Sequence, residues 1–366
     1  MPLDTFNTFP NDTYPRDYSL TGPLNARAQK TGLANAAWYR TDIPRARMKE
    51  LMQRSDGPAT RDTIIWLGLL VVCAGFGIYF WGTWACVPFF AVYGVLYGSA
   101  GDSRWHECSH GTAFKTQWKN DVVYQIASFM VMRNPVVWRW SHSRHHTDTI
   151  IVGRDPEIVA MRPPDLFKLL LNFFMLIGYP LALRDMLRQA SGKVSDAEKD
   201  FIPEQEQHKV VFVARIWTAI YLATLALAIY MRSVLPFMII GFPTMYGAWH
   251  MVLTGLTQHV GLAEDVLDHR LNCRTAYMNP FSRFIYWNMN YHVEHHMFPM
   301  VPYHQLPRLH SEMKSDCPPP YSSIAACYRE IIPTVIRQLR EPSYFIRRQL
   351  PPTAKPTPPL PSQLSA

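Results

Sequence analysis

The sequence predicts an all-α membrane protein: four transmembrane helices in two hairpins, under a cytosolic helical cap that holds a histidine-rich dimetal site. Three observations predict this. Long uncharged apolar stretches occur in two pairs, each pair joined by a tight turn. Lysine and arginine gather in the long segments outside those pairs. Histidines recur at helical spacing in boxes that abut the predicted spans.

Residues 1–62 are polar, rich in Asn, Asp, Pro and Arg, and read as a soluble N-terminal arm. Within them Ile43 to Met52 has the pattern of a short amphipathic helix lying against a membrane. No apolar run follows a basic start there, so a cleavable signal peptide is not expected. The membrane catalytic domain is expected over 63–310. Thr63 to Trp81 and Trp84 to Ala100 form its first hairpin, each near the ~20 residues that cross ~30 Å of hydrocarbon. Val210 to Tyr230 and Val234 to Leu256 form the second, around a turn at Met231–Ser233; Arg215 is placed to snorkel. Leu166 to Leu183 is apolar but carries Lys168, Asn172 and Pro180, and reads as an interfacial helix. A fifth span there would put the later histidines on the opposite side from the earlier ones. Residues 311–350 are expected to form a cytosolic helical segment. The Pro-rich tail 351–366 has little to bury and is expected to be disordered.

Of the residues in the hairpin turns, only Arg232 is basic, which places both termini and the boxes in the cytosol by the positive-inside rule. The chain is 48% hydrophobic, yet its mean hydropathy is only -0.09, which fits a few spans carrying a large cap. A net charge of +8 suits a face lying on anionic headgroups, and no nucleic-acid module is visible. The 6 cysteines are scattered without a CxxC pair, as free thiols rather than a disulfide frame.

Of the 14 histidines, nine fall into a pattern. His106 and His110 form an HxxxH; His142, His145 and His146 form an HxxHH; His292, His295 and His296 form another; and His259 stands just after the fourth predicted span. On a helix, positions i, i+3 and i+4 share one face, so each box aims its imidazoles at one point. Buried imidazoles at that density need something to satisfy their nitrogens, and a metal does so best. Nine are too many for one zinc and enough for two metals. Imidazole suits iron, copper, nickel or zinc alike, so spacing does not choose among them. The remaining histidines (His208, His250, His269, His304 and His310) have no partner at ligand spacing and default to surface or core roles, His250 being the exception to watch because it sits within a span.

These three boxes, split by a transmembrane hairpin, resemble those of the membrane fatty-acid desaturase and hydroxylase superfamily over roughly residues 60–310. The run from His145 through Asp155-Pro-Glu157, and Leu256 to Asp265, are similar to a bacterial and fungal branch that contains rhizopine-catabolism-type hydrocarbon oxygenases. The resemblance implies a cytosolic cap with two iron ions, dioxygen as co-substrate, and His106, His110, His142, His145, His146, His259, His292, His295 and His296 as ligands. His292 opens the last box where many front-end desaturases have Gln. No His-Pro-Gly-Gly haem sequence and no CxxC pair occur, so a separate ferredoxin- or cytochrome-type electron donor is expected.

The expected activity is O2-dependent attack on an unactivated C–H bond of a fatty-acyl or lipid-like chain, with desaturation ahead of hydroxylation. A zinc-dependent membrane hydrolase is the second alternative, though three ligands would suffice for it. A metal transporter would place its ionisable groups near mid-membrane rather than at span ends. Glu107, Asp148 and Glu294 lie beside ligands and are candidates to orient imidazoles by hydrogen bonding. Tyr246, Trp249 and Gly255 are candidates to line a substrate slot.

Overall fold

A computed structural model describes residues 13–357. Among these residues the protein is all-helical, and strand pairing is confined to isolated bridges such as Thr275 with Tyr291. Three helical stretches are long and apolar enough to cross a membrane: Arg45–Tyr79, Trp84–Ser109 and Glu204–Met231.

Helix α1 (Asp56–Tyr79) starts seven residues before the expected span because Ser55 caps it and its first turns have polar work outside the apolar belt. Asp56 accepts from the Thr116 amide at 2.9 Å, and Asp62 accepts from the Tyr303 hydroxyl at 2.7 Å. Outward-facing Ile64, Val71, Val72 and Tyr79 are exposed, whereas Trp66 is buried and donates to the Leu96 carbonyl at 2.9 Å. That bond ties α1 to α2 (Val87–Gly98), which returns alongside it after a turn at Gly82 with φ +87°.

The end of α2 passes into a π-helical stretch, Gly101–Trp105, and then into the short helix His106–Ser109. Arg104, buried in this stretch, donates to the Ile285 carbonyl at 2.7 Å and lies about 5 Å from the ring centroids of Trp66, Phe284 and Trp287. Aromatic faces and carbonyl oxygens thus solvate a guanidinium that no carboxylate touches.

Helices α3 (Gln117–Met130) and α4 (Pro135–Thr147) follow, the latter capped by Asn134 with Pro135 at its first position. The apolar stretch 166–183 is two helices, Leu166–Asn172 and Gly178–Ala190, broken where Asn172 Oδ1 captures the Gly178 amide at 2.9 Å. Helix α5 (Glu204–Met231) carries Leu222, Ile229 and Tyr230 exposed, and ends at Arg232 in the left-handed region.

The stretch 234–256 is not the single continuous span expected from its hydropathy. It forms Leu235–Ile239, Pro243–Tyr246 and α6 (Ala248–His259), separated at Ile240–Gly241 and at Gly247. Ile240 is extended, Gly241 takes φ +94°, and Pro243 can donate no amide hydrogen bond. The break seats Gly247 against Gly94 so closely that a Cβ on Gly247 would stand 1.8 Å from the Gly94 carbonyl oxygen. A Cβ on Gly98 would meet the Gly247 backbone at 2.8 Å. Gly94 and Gly98, four apart, form the small-residue face that lets two backbones touch. This crossing fixes α2, which leads to His106, against α6, which ends at His259.

Box three lies on α7 (His292–Met297), and α8 (Ile324–Gln338) packs beside α6. Within 311–350 helix covers 311–313, the end of Leu306–Met313, and 324–338, and the rest is irregular. The N-terminal arm packs against the C-terminal part of the chain: Arg16 pairs with Glu264 at 2.7 Å, and Tyr39 and Thr41 both donate to Asp316. Residues 351–357 are held rather than free. The Lys355 amide donates to Asp316 and Thr357 Oγ1 to Asp268. The rest of the expected disordered tail, and the first twelve residues of the arm, lie outside the described residues. All six cysteines are unpaired.

Candidate metal centre

All three boxes are helical, and the fold brings them together. His106, His110, His142, His146 and His295 form one group, and His145, His259, His292 and His296 a second. In each, the ligating atoms lie within 4.8 Å of one another. The HxxHH spacing splits each box between the groups: His142 and His146 point one way and His145 the other, while His295 parts from His292 and His296. On α4 and α7, a residue at i+3 leans to one side of the stripe that i and i+4 share.

In the first group, His142 Nε2 lies 3.0 Å from His106 Nε2, 3.1 Å from His110 Nε2 and 3.1 Å from His146 Nε2; His106 Nε2 lies 2.8 Å from His295 Nε2. In the second, His292 Nε2 is 3.0 Å from both His259 Nε2 and His296 Nε2. A neutral imidazole carries one N–H, so a single proton on His142 Nε2 could satisfy one of three neighbours.

The tautomers sharpen the point. His145 Nδ1 faces Asp155 Oδ2 at 2.8 Å and His259 Nδ1 faces the Asn272 carbonyl at 2.8 Å. Thr149 Oγ1 gives its own proton to the His145 carbonyl, so it accepts from His296 Nδ1 at 3.2 Å. The Nδ1 atoms of His259 and His296 hold the proton, which leaves bare lone pairs on their Nε2 atoms, each 3.0 Å from His292 Nε2. Lone pairs converging on a common centre repel unless a cation lies between them. Two nitrogens each about 2.1 Å from one ion at a right angle stand roughly 3.0 Å apart, the spacing seen here. The donor set therefore fits two metal ions of the kind imidazole prefers.

Burial, followed by the other imidazoles, pushes His142, His146, His292, His295 and His296 well below the ordinary histidine range. They stay neutral, as ligands must be. His145 goes the other way: burial pulls it down, but Asp155 and Glu157 outweigh this and raise it to about 9.

The carboxylates that serve the ligands are not those expected. Glu107 accepts from Thr112 and the Tyr303 amide, Asp148 pairs with Arg154 at 2.9 Å, and Glu294 takes His310 Nδ1 at 2.5 Å and Thr275 Oγ1 at 2.5 Å. No hydrogen bond joins any of the three to the nine imidazoles: Glu107 and Glu294, next to box histidines, are turned about 100° away around their helices, and Asp148 is the C-cap of α4, past its last helical residue. Asp155, on His145, and Glu157, 3.1 Å from His142 Nδ1, take that place. The signal was the acidic run Asp155-Pro-Glu157 downstream of the second box.

Among the lone histidines, His250 bonds Ser99 Oγ at 2.9 Å, and His208 is exposed. His310 belongs to the Glu294 network. His269 stacks on Trp38 at 4.2 Å and groups with Cys273 and His296 beside the second cluster. Of the slot candidates, Tyr246 bonds the Met238 carbonyl and packs on Gly94, and Trp249 is 39% exposed. Only Gly255 stands beneath the histidines, one turn before His259.

Helices long and apolar enough to cross a membrane, with paired clusters of buried and half-buried imidazoles, define the membrane histidine-box class. The chain belongs to the fatty acid desaturase family, whose pattern it matches over residues 82–327. It is 26% identical over 219 residues to an omega-3 fatty acid desaturase of the endoplasmic reticulum from Nicotiana tabacum, covering 55% of this chain and 58% of that protein. It is 23% identical over 277 residues to an sn-2 acyl-lipid omega-3 desaturase (ferredoxin) from Helianthus annuus, covering 69% and 60%. A Delta(8)-fatty-acid desaturase from Euglena gracilis is 21% identical over 257 residues, covering 61% and 59%. The matched regions span 58% to 60% of these relatives' own lengths.

Proposed function

We propose that the chain is an O2-dependent di-iron oxidoreductase of a membrane that removes hydrogen from a fatty-acyl or lipid-like chain, forming a double bond. The observation that carries this is the gathering of nine imidazoles into two groups, five in one and four in the other. Desaturation is favoured over hydroxylation because the relatives named above are desaturases. Bound iron would supply the chemistry that activates dioxygen for C–H cleavage.

The chain's own residues do the rest. His106, His110, His142, His146 and His295 would hold one ion, and His145, His259, His292 and His296 the other. Asp155, the Asn272 carbonyl and Thr149 fix three ring orientations. Burial of His106, His142, His145, His292, His295 and His296 keeps bulk water from the centre. A hydrocarbon chain gains roughly 0.8 kcal/mol per CH2 on entering a dry slot, and the apolar helices deliver it from the bilayer. Electrons would come from a separate ferredoxin- or cytochrome-type protein with its reductase.

In this reading the bundle crosses the membrane four times in two hairpins, the broken stretch 234–256 being the fourth crossing, with both termini and the cap cytosolic. Cysteines placed at Trp84 and Tyr230, 91% and 86% exposed, should react with an impermeant thiol reagent on intact cells lacking Cys86, and one at Lys193 should not.

The reaction is tested by product analysis under 18O-labelled dioxygen in a host with a compatible reductase. The expected product is two hydrogens lighter and free of label. One labelled oxygen atom in the product would mean hydroxylation instead.

A further inference from the structure

The π-helical stretch before the first box has a consequence for substrate choice. In it the Trp105 amide bonds the Ala100 carbonyl, five residues back, and Asp102 leaves helical geometry at φ -86°, ψ 25°. Asp102 lies four residues before His106 of the first cluster, and Gly255 four residues before His259 of the second. Gly255 lies one α-helical turn, about 5.4 Å, along its helix from His259. The two residues meet: a Cβ on Gly255 would stand 2.7 Å from Asp102 Oδ2. The Asp102 carboxylate therefore leans toward the helix that ends at His259, close enough to His145 of the second cluster to feel it through space. On the reading of the clusters as the oxidising centre, a substrate presented to them would pass this carboxylate.

No hydrogen bond or ion pair reaches this carboxylate among the described residues. Arg133 and His145 act on it only through space, and the buried Tyr286 hydroxyl, which accepts from Gln258 Nε2 at 2.5 Å, shares its surroundings. The side chain nevertheless keeps part of its surface open. A carboxylate enclosed by protein without a partner is costly, and a plain hydrocarbon passing it would leave it so. A substrate that carries its own donor would satisfy it.

We propose that Asp102 is a specificity-determining residue: it receives a hydrogen-bond donor, a hydroxyl or an ammonium, borne by the substrate within a few bonds of the carbon that is oxidised. The proposal rests on the reading of the clusters as the oxidising centre. It narrows the substrate from an unadorned acyl chain to a lipid-like molecule with a polar donor close to the reacting C–H.

The test is equilibrium binding of tritiated hexadecane, hexadecan-1-ol and 1-aminohexadecane to iron-loaded protein in lipid nanodiscs, for wild type, Asp102→Asn and Asp102→Leu. The expected result is tighter binding of the alcohol or amine than of hexadecane by wild type, by about tenfold to a hundredfold as for a charge-assisted hydrogen bond. Asp102→Leu should lose that preference, and Asp102→Asn should keep a preference for the alcohol but not for the amine. Comparison of the two arms tells a hydroxyl from an ammonium. Iron content and melting temperature equal to wild type show that the variants are folded. Should Asp102→Leu not fold, the Asn variant alone decides through its amine arm. Equal binding of all three chains by wild type, or an unchanged preference in both variants, overturns the proposal. If the preference holds but none of the chains is oxidised with reductant and dioxygen, recognition by Asp102 stands and the oxidase reading is what fails.

Discussion

Asp155 Oδ2 stands 2.8 Å from His145 Nδ1 and also accepts the Ile150 amide at 2.7 Å. One carboxylate thus sets the tautomer of a ligand and folds the loop that follows it. Asp155→Asn is expected to weaken metal retention by about 10- to 100-fold, the range for lost partners of ligating imidazoles. Glu157→Gln should act the same way on His142, and Glu107→Gln should leave metal affinity unchanged. Metal bound at graded free-iron concentrations, measured by elemental analysis, checks all three.

The grouping of imidazoles makes a sharper division among histidines than the boxes alone. His106→Ala, His145→Ala and His295→Ala should abolish activity and lower the iron content below two per chain. His208→Ala should leave both intact. His310→Ala should keep iron but lower stability by about 1–3 kcal/mol, because it strips a buried carboxylate of a partner. Iron content and thermal melts of detergent-purified variants report each outcome.

Proton linkage gives a third expectation, for protein stripped of metal by a chelator. His142, His146, His292, His295 and His296 have folded values well below the ordinary histidine range. As pH falls below about 6.5, the unfolded chain takes up protons that the folded protein refuses, so stability present above that pH is lost. Each such group contributes up to about 1.4 kcal/mol per pH unit. His145, raised to about 9, acts oppositely: its contribution is full below about 6.5 and fades toward 9. Melting temperature against pH should therefore fall steeply on the acid side. A flat profile from pH 7 to 5 would contradict the buried, neutral state of these rings.

At the helix crossing, Gly247→Ala should cost about 3 kcal/mol, the upper end for overpacking, because the new methyl meets backbone that cannot turn aside. Gly68→Ala is the control: nothing lies within 4 Å of a Cβ there, so stability should hold or rise slightly. Melting in a common detergent compares the two.

Much of the site could be read from the sequence because its code is local. The three boxes and His259 do come together, but each HxxHH divides its imidazoles between two groups instead of aiming all three at one point, as a shared helix face suggests. The supporting groups are harder to read. Asp155 and Glu157 lie in an irregular loop, where distance along the chain says nothing about direction. Glu107 and Glu294 show the opposite error, since neighbours in a helix face different ways, and Asp148 lies past the end of α4. The break in 234–256 was written in Pro236, Gly241 and Pro243, but a hydropathy window averages over them. The grip on residues 351–357 escaped notice because it rests on single hydrogen bonds rather than on an apolar pattern.

The loop between His259 and Cys273 is gripped by both flanks of the polypeptide. Arg16 holds Glu264, the Ile346 amide holds the Gly261 carbonyl, Arg270 takes the Lys355 carbonyl, and Thr357 holds Asp268. That loop supplies the Asn272 carbonyl that orients His259. Anyone preparing this protein thus inherits a constraint on handling it. Trimming back to residue 43 or to residue 344 for crystallisation, or grafting a reporter close to either boundary, would loosen a metal ligand far away in sequence. The exposed turn around Lys193 offers a safer place for an affinity handle.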